Sequence, residues 1–167
     1  MKTNKLVSFI LSLCMLFTIT SCSTFSKTMP EDFHFSLTWG PFGCSSYNSE
    51  TGELIKKKDE NIQTTYFMDE AELKQVYEIL MDYRIHKIDK LTNFGFFFCS
   101  PPGKYEIVMY TDDIKHVIKT PDSGVDFSRK PYTIKARRFY NAIVEIKNII
   151  YESEEWKSLP DSEMLYM

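Results

Sequence analysis

The chain is poor in the residues that carry most catalytic and metal chemistry. Its 167 residues hold three histidines, His34, His86 and His116, and no two are four apart as a helical zinc site requires. Gly-x-Ser-x-Gly and Ser-x-x-Lys, the local signatures of two common exported serine chemistries, do not occur. Asp112-Asp113 lacks the spaced oxygen ligands and central glycine of a calcium loop and reads as a turn. The 23 acids fall mostly in helix starts, turns and the stretch from Glu152 to Glu155, where solvation accounts for them. No catalytic residue, metal ligand or cofactor is therefore assigned. What is present is ample apolar material, 43% of residues with 15% aromatic, enough for the core of one ordinary domain.

Long apolar runs are also missing, with one exception at the start. Lys2 and Lys5 precede Leu6 to Ile19, 14 residues without a charge. That is too short to span a bilayer comfortably and has the shape of a secretory signal. Ile19-Thr20-Ser21-Cys22 then resembles the lipobox of bacterial lipoproteins: an aliphatic residue, two small residues and a cysteine, although Leu is commoner at the first position and Gly or Ala at the third. The resemblance implies removal of residues 1–21 as a signal peptide and lipid attachment at Cys22. Two or more acyl chains anchor stably where one holds only marginally. Ordinary cleavage after Ser23 would instead release a free secreted protein and leave the placement of Cys22 unexplained. With the signal removed, 146 residues remain, 18 basic against 23 acidic, a net charge of −5. Such a balance does not suit nucleic acid. Of the four cysteines, Cys14 would leave with the signal and Cys22 would be consumed by lipid. Cys44 and Cys99 are left, either as a disulfide or as two unpaired thiols.

Residues 22–32 read as a lipidated tether and 33–167 as a single domain. Phe33 to Trp39 alternates without error, which places Phe33, Phe35, Leu37 and Trp39 on one face of a strand. Gly40-Pro41-Phe42-Gly43 breaks it, and Ser45 to Lys57 reads as a hairpin turning at Ser49 to Gly52, with Lys56 to Lys58 as a solvated strand end. Thr64 to Met68 is a further strand. Asp69 with Glu72 is a capping box that starts a helix to about Tyr83, and Ile85 to Phe94 is a loop over a sheet edge. Phe96 to Cys99, alternating Tyr105 to Thr111, and Ile114 to Thr120 give more strands. Pro121 to Pro131 is a longer loop. Thr133 caps a last helix with Ala136, Phe139, Tyr140, Ile143, Ile146 and Ile150 as its apolar stripe, and Trp156 and Leu159 fold the tail back. The expected fold is α+β: an antiparallel sheet of about five to six strands with two helices packed on one face. The stretches "FHFSLTWG", "SSYNSETGEL" and "EEWKSLP" resemble small exported proteins of low-GC bacteria, which implies envelope context and no reaction.

Two sets of residues stand out as binding candidates. Arg129, Lys130, Lys135, Arg137 and Arg138 are five bases in ten residues with no acid among them. Bases in the first turns of a helix oppose its dipole, and a contact with anionic lipid or wall polymer would explain them as well as a solvated face does. Trp39, Phe42 and Tyr47 surround the glycine-flanked turn, where an aromatic side chain can meet a glycan or peptide, although the unbroken alternation also makes Trp39 a core residue. The expected function is a lipid-anchored envelope protein that binds an envelope protein, a peptide or an anionic polymer. The alternatives are an exported inhibitor or protective protein and, behind it, a hydrolase. Cys22→Ala is expected to move the protein from the membrane to the soluble fraction of cells; equal partitioning of the two forms would refute the anchor.

Overall fold

The computed structural model describes residues 26, 28–91, 101–111, 114–121, 124–125 and 131–161. Its first strand follows from alternation alone. In β1 (His34–Trp39) every second residue is buried, and Phe35 and Leu37 are wholly enclosed. β2 (Ser45–Asn48) and β3 (Glu53–Lys57) form the expected hairpin. Its turn is held by Asn48, whose Oδ1 accepts the backbone N–H groups of Glu50 at 2.9 Å and Thr51 at 3.4 Å. Gly52 completes the turn at φ +69°, where a Cβ would also meet the Phe67 ring at 2.8 Å. With β4 (Ile62–Thr65), β5 (Glu106–Thr111) and β6 (Ile114–Lys119) the described strands make one antiparallel sheet, ordered β4-β3-β2-β1-β5-β6. The registers set Leu54, Tyr47, Leu37, Ile107 and Ile118 side by side across five strands, and each is at most 2% exposed.

Two helices cover this row. α1 (Glu70–Asp82) opens with the full capping box: Asp69 Oδ1 accepts from Glu72 N at 2.8 Å, and Glu72 Oε2 accepts from Asp69 N at 3.0 Å. It buries Val76, Tyr77, Ile79 and Leu80. α2 (Ile134–Glu152) is capped by Thr133, whose Oγ1 accepts from Ala136 N, and buries the anticipated stripe with Ala142 added and Tyr140 only half-buried. Helices and inner sheet face form a single core, the α+β arrangement expected. A short α3 (Glu154–Ser158) returns the tail: Trp156 packs on Trp39 and Tyr151, and Lys56 Nζ donates to the Leu159 carbonyl at 3.0 Å.

The structure corrects several local expectations. β4 lies two residues earlier than Thr64 to Met68 suggested and stops at Thr65, because its ladder partner Glu53 is the first residue after the Gly52 turn. Lys57 is not solvated. A register shift between Ile55 and Lys57 turns it inward to 4% exposure, with its Nζ 3.9 Å from a Glu60 carboxylate oxygen. Ile107, Val108 and Met109 are buried in succession, so β5 does not alternate. It is an interior strand, and Val108 is shielded on the outer face between Ser36 and Val117. The segment after Tyr83 contributes to the core as well as flanking a sheet edge. Arg84 at φ +53° turns it into a 3-10 turn, Ile85–Lys87, that buries Ile85, Ile88 and Leu91, while Asp89 to Leu91 lie beside Val117 to Pro121 of the β6 edge. The strand assigned to Phe96–Cys99 and the turn at Asp112-Asp113 lie outside the described residues.

These contacts set expectations for stability. Phe35→Ala is expected to cost about 3–5 kcal/mol, because it leaves a cavity in the closed core, and Asp69→Ala about 1 kcal/mol, because it unmakes the cap. Urea denaturation checks both; a Phe35→Ala loss below that of Asp69→Ala would contradict the central place given to β1.

Candidate functional site

The break after β1 is a rigid turn. Gly40, Phe42 and Gly43 all take left-handed backbone, at φ +91°, +54° and +71°. Glycine does so freely, but an aromatic residue there is a genuine outlier. Main-chain bonds hold it: Gly43 N donates to Gly40 O at 3.0 Å, Cys44 N to Pro41 O at 3.0 Å, Phe42 N to Pro102 O at 2.8 Å, and Lys104 N to Gly40 O at 3.0 Å. A bridge between Pro41 and Gly103 ties the turn to the segment that leads into β5. The outcome is a phenylalanine 56% exposed at a fixed place.

Phe42 overhangs a groove of about 250 Å³ at the end of the outer sheet face, lined by Thr38, Lys104, Glu106, Lys119 and Pro121 among others. Thr38, Glu106 and Lys119 are cross-strand neighbours in β1, β5 and β6, so this row is set by sheet register. Gly43 lets the turn close on it, since a Cβ there would come within 3.1 Å of Thr38 Cγ2 and 3.6 Å of Lys104 Cβ. An aromatic face, two ammonium groups, one carboxylate and a hydroxyl thus converge on rigid backbone. That set can stack, pair with charge of either sign and hydrogen-bond an amide.

Trp39 and Tyr47, grouped with Phe42 from the sequence, do not join it. Both lie on the inner face, 2% and 1% exposed. Trp39 Nε1 donates to Tyr151 OH at 3.0 Å. Burial pushes the Tyr47 and Tyr151 hydroxyls up to about 12, and burial together with a 2.8 Å hydrogen bond to Glu72 raises Tyr66 further. These tyrosines brace the sheet against α1 and α2 as neutral hydroxyls.

The basic set is elsewhere. Lys135 and Arg137 are exposed and Arg138 partly so, all in the first two turns of α2, and none lines the Phe42 groove. Arg129 and Lys130 lie outside the described residues, as do Cys22 and Cys99. Cys44 is a buried free thiol, its Sγ 3.8 Å from Ser45 Oγ. His34 stacks on Tyr110 with ring centroids 4.5 Å apart, whereas His116 Nε2 sits 3.2 Å from the Ile85 carbonyl oxygen. Among the described residues no group of three or more His, Cys, Asp or Glu is placed to hold a metal ion, and no helix is long and apolar enough to cross a membrane.

Because left-handed backbone costs a non-glycine residue about 1–2 kcal/mol, Phe42→Gly is expected to keep or raise stability, by up to about 1 kcal/mol after the glycine's greater unfolded-state entropy. Urea unfolding tests this; a loss of more than about 2 kcal/mol would mean that the ring is a structural wedge. No protein-family model matches the chain and a search of curated proteins gives no match, so the geometry of the groove is what a functional reading has to stand on.

Proposed function

We propose that the chain is a lipid-anchored envelope protein whose domain binds an extended polypeptide, from a peptide or another envelope protein, at the Phe42 groove. The observation that carries this is the strained, exposed Phe42. Local strain persists where surrounding structure enforces it, and here the four main-chain bonds enforce the display of an aromatic side chain that would be hidden in water. The mixed charges of Lys104, Glu106 and Lys119 suit a polypeptide better than a uniformly anionic polymer. The lipobox-like stretch ending in Cys22 supports anchorage outside the cytoplasm. A second reading, an exported inhibitor, draws on the rigidity of the turn: a preorganised loop enters an enzyme cleft with little ordering cost.

A photo-crosslinking amino acid at position 42 tests the groove in intact cells, with exposed Glu78 on α1 as the control position. The expected result is an adduct at 42 that is absent at 78, is destroyed by protease and falls several-fold with Lys104→Glu or Lys119→Glu. A protease-resistant adduct would point to wall polymer instead, and equal labelling at the two positions would refute the site.

A further inference from the structure

The start of α2 exposes large side chains and cations together. Helical geometry places Ile134 on one face with Arg137 and Arg138, three and four residues on, opposite the buried stripe from Ala136 to Ile150. Ile134 is 69% exposed, and Tyr132, just ahead of the Thr133 cap, is also 69% exposed. Arg137 is exposed on that face and Lys135 is exposed about a quarter-turn round the helix from Ile134, and the sequence holds no Asp or Glu from position 127 to 144. Cations in the first turns work against the helix dipole, and an aliphatic side chain in water gains nothing. Both costs fall on one small surface of a chain whose net charge is −3.

We propose that this end of α2 docks on the surface of an anionic bilayer, with Ile134 and Tyr132 entering the headgroup boundary and Lys135, Arg137 and Arg138 pairing with phosphates. A hydrophilic wall polymer would satisfy the cations but leave both apolar side chains in water; a bilayer satisfies both. The inference is independent of the groove and takes from the anchor reading only that a bilayer is near. That nearness is close. The Ser26 carbonyl accepts a hydrogen bond from Tyr77 OH at 2.7 Å, so the chain is tied to the domain at that point. A lipid on Cys22, four residues earlier, lies within about 14 Å of that point at full extension. The tether therefore does not let the domain stand far off, and the α2 surface gives the tethered domain one preferred orientation.

Hydrogen exchange of the full chain on vesicles of phosphatidylcholine, alone or mixed with phosphatidylglycerol, tests this. On the anionic vesicles the amides from Tyr132 to Lys135 are expected to exchange about fivefold more slowly than on the neutral ones, an effect abolished by Arg137→Glu with Arg138→Glu and by high salt. Ile134→Ser with Tyr132→Ser is expected to remove most of it. Equal exchange on both vesicles would overturn the proposal, and full protection in the double-serine variant would overturn insertion. Flotation with the neutral vesicles reports the anchor separately, so the two readings fail in different measurements. Unchanged thermal unfolding confirms that each variant is folded.

Discussion

The burial of one face of β1 is the constraint on which the rest of this molecule depends. β1 is an interior strand with β2 and β5 on its two sides, and its inward residues meet both helices. Because side chains alternate with a period of two, a slip of one residue would send Phe35 and Leu37 to water and His34 and Ser36 to the core. The penalty of such a slip fixes β1, and β1 fixes the register of its neighbours. Even the outer face inherits this order: Thr38, Glu106 and Lys119 are aligned because Leu37, Ile107 and Ile118 are aligned beneath them.

Stability and display are separated along that same strand. Up to Trp39 each inward residue adds to the core, and Trp39 itself is locked by Tyr151 and Trp156. Immediately afterwards the backbone adopts three left-handed residues within four and turns an aromatic ring outward. The chain thus spends part of what the core supplies on a local conformation that leaves the ring more than half exposed. Where local choice and global fold disagree in this way, function is the ordinary explanation.

The sequence made elements legible wherever one physical signal was strong. The unbroken alternation of β1, the Ser49 to Gly52 turn, the Asp69–Glu72 box and the stripe of α2 all appear where pattern and capping chemistry put them. The inward turn of Lys57 was illegible, because a bulge changes phase without changing composition. β5 was misjudged for a related reason: whether Val108 is shielded depends on β1, far away in sequence, as well as on β6. The site was half legible. The glycine-flanked Phe42 was visible as a display position, but Trp39 and Tyr47 were drawn to it by chain proximity and belong to the core. Lys104, Glu106 and Lys119 were hidden, since the pairing of β1 with β5 and of β5 with β6 aligns Glu106 and Lys119 with Thr38, and the Pro41–Gly103 bridge brings Lys104 to the turn. Outward alternation marks such residues as exposed, but only long-range register says what they stand beside.

The position of β1 has a consequence for how the chain reaches this state. One neighbour, β2, begins at Ser45, while the other, β5, begins only at Glu106. A meander of β1 to β4 can form from contacts near in sequence, and β5 can pair locally with β6, whereas a long loop must close before β5 gains any bond to β1. Until it arrives, the strand with the most apolar face presents a row of open amide and carbonyl groups, the template on which foreign strands add. If the chain crosses a membrane unfolded, as the proposed export requires, that interval falls on the far side. How fast the second half follows then decides between a folded domain and one paired with the wrong neighbour.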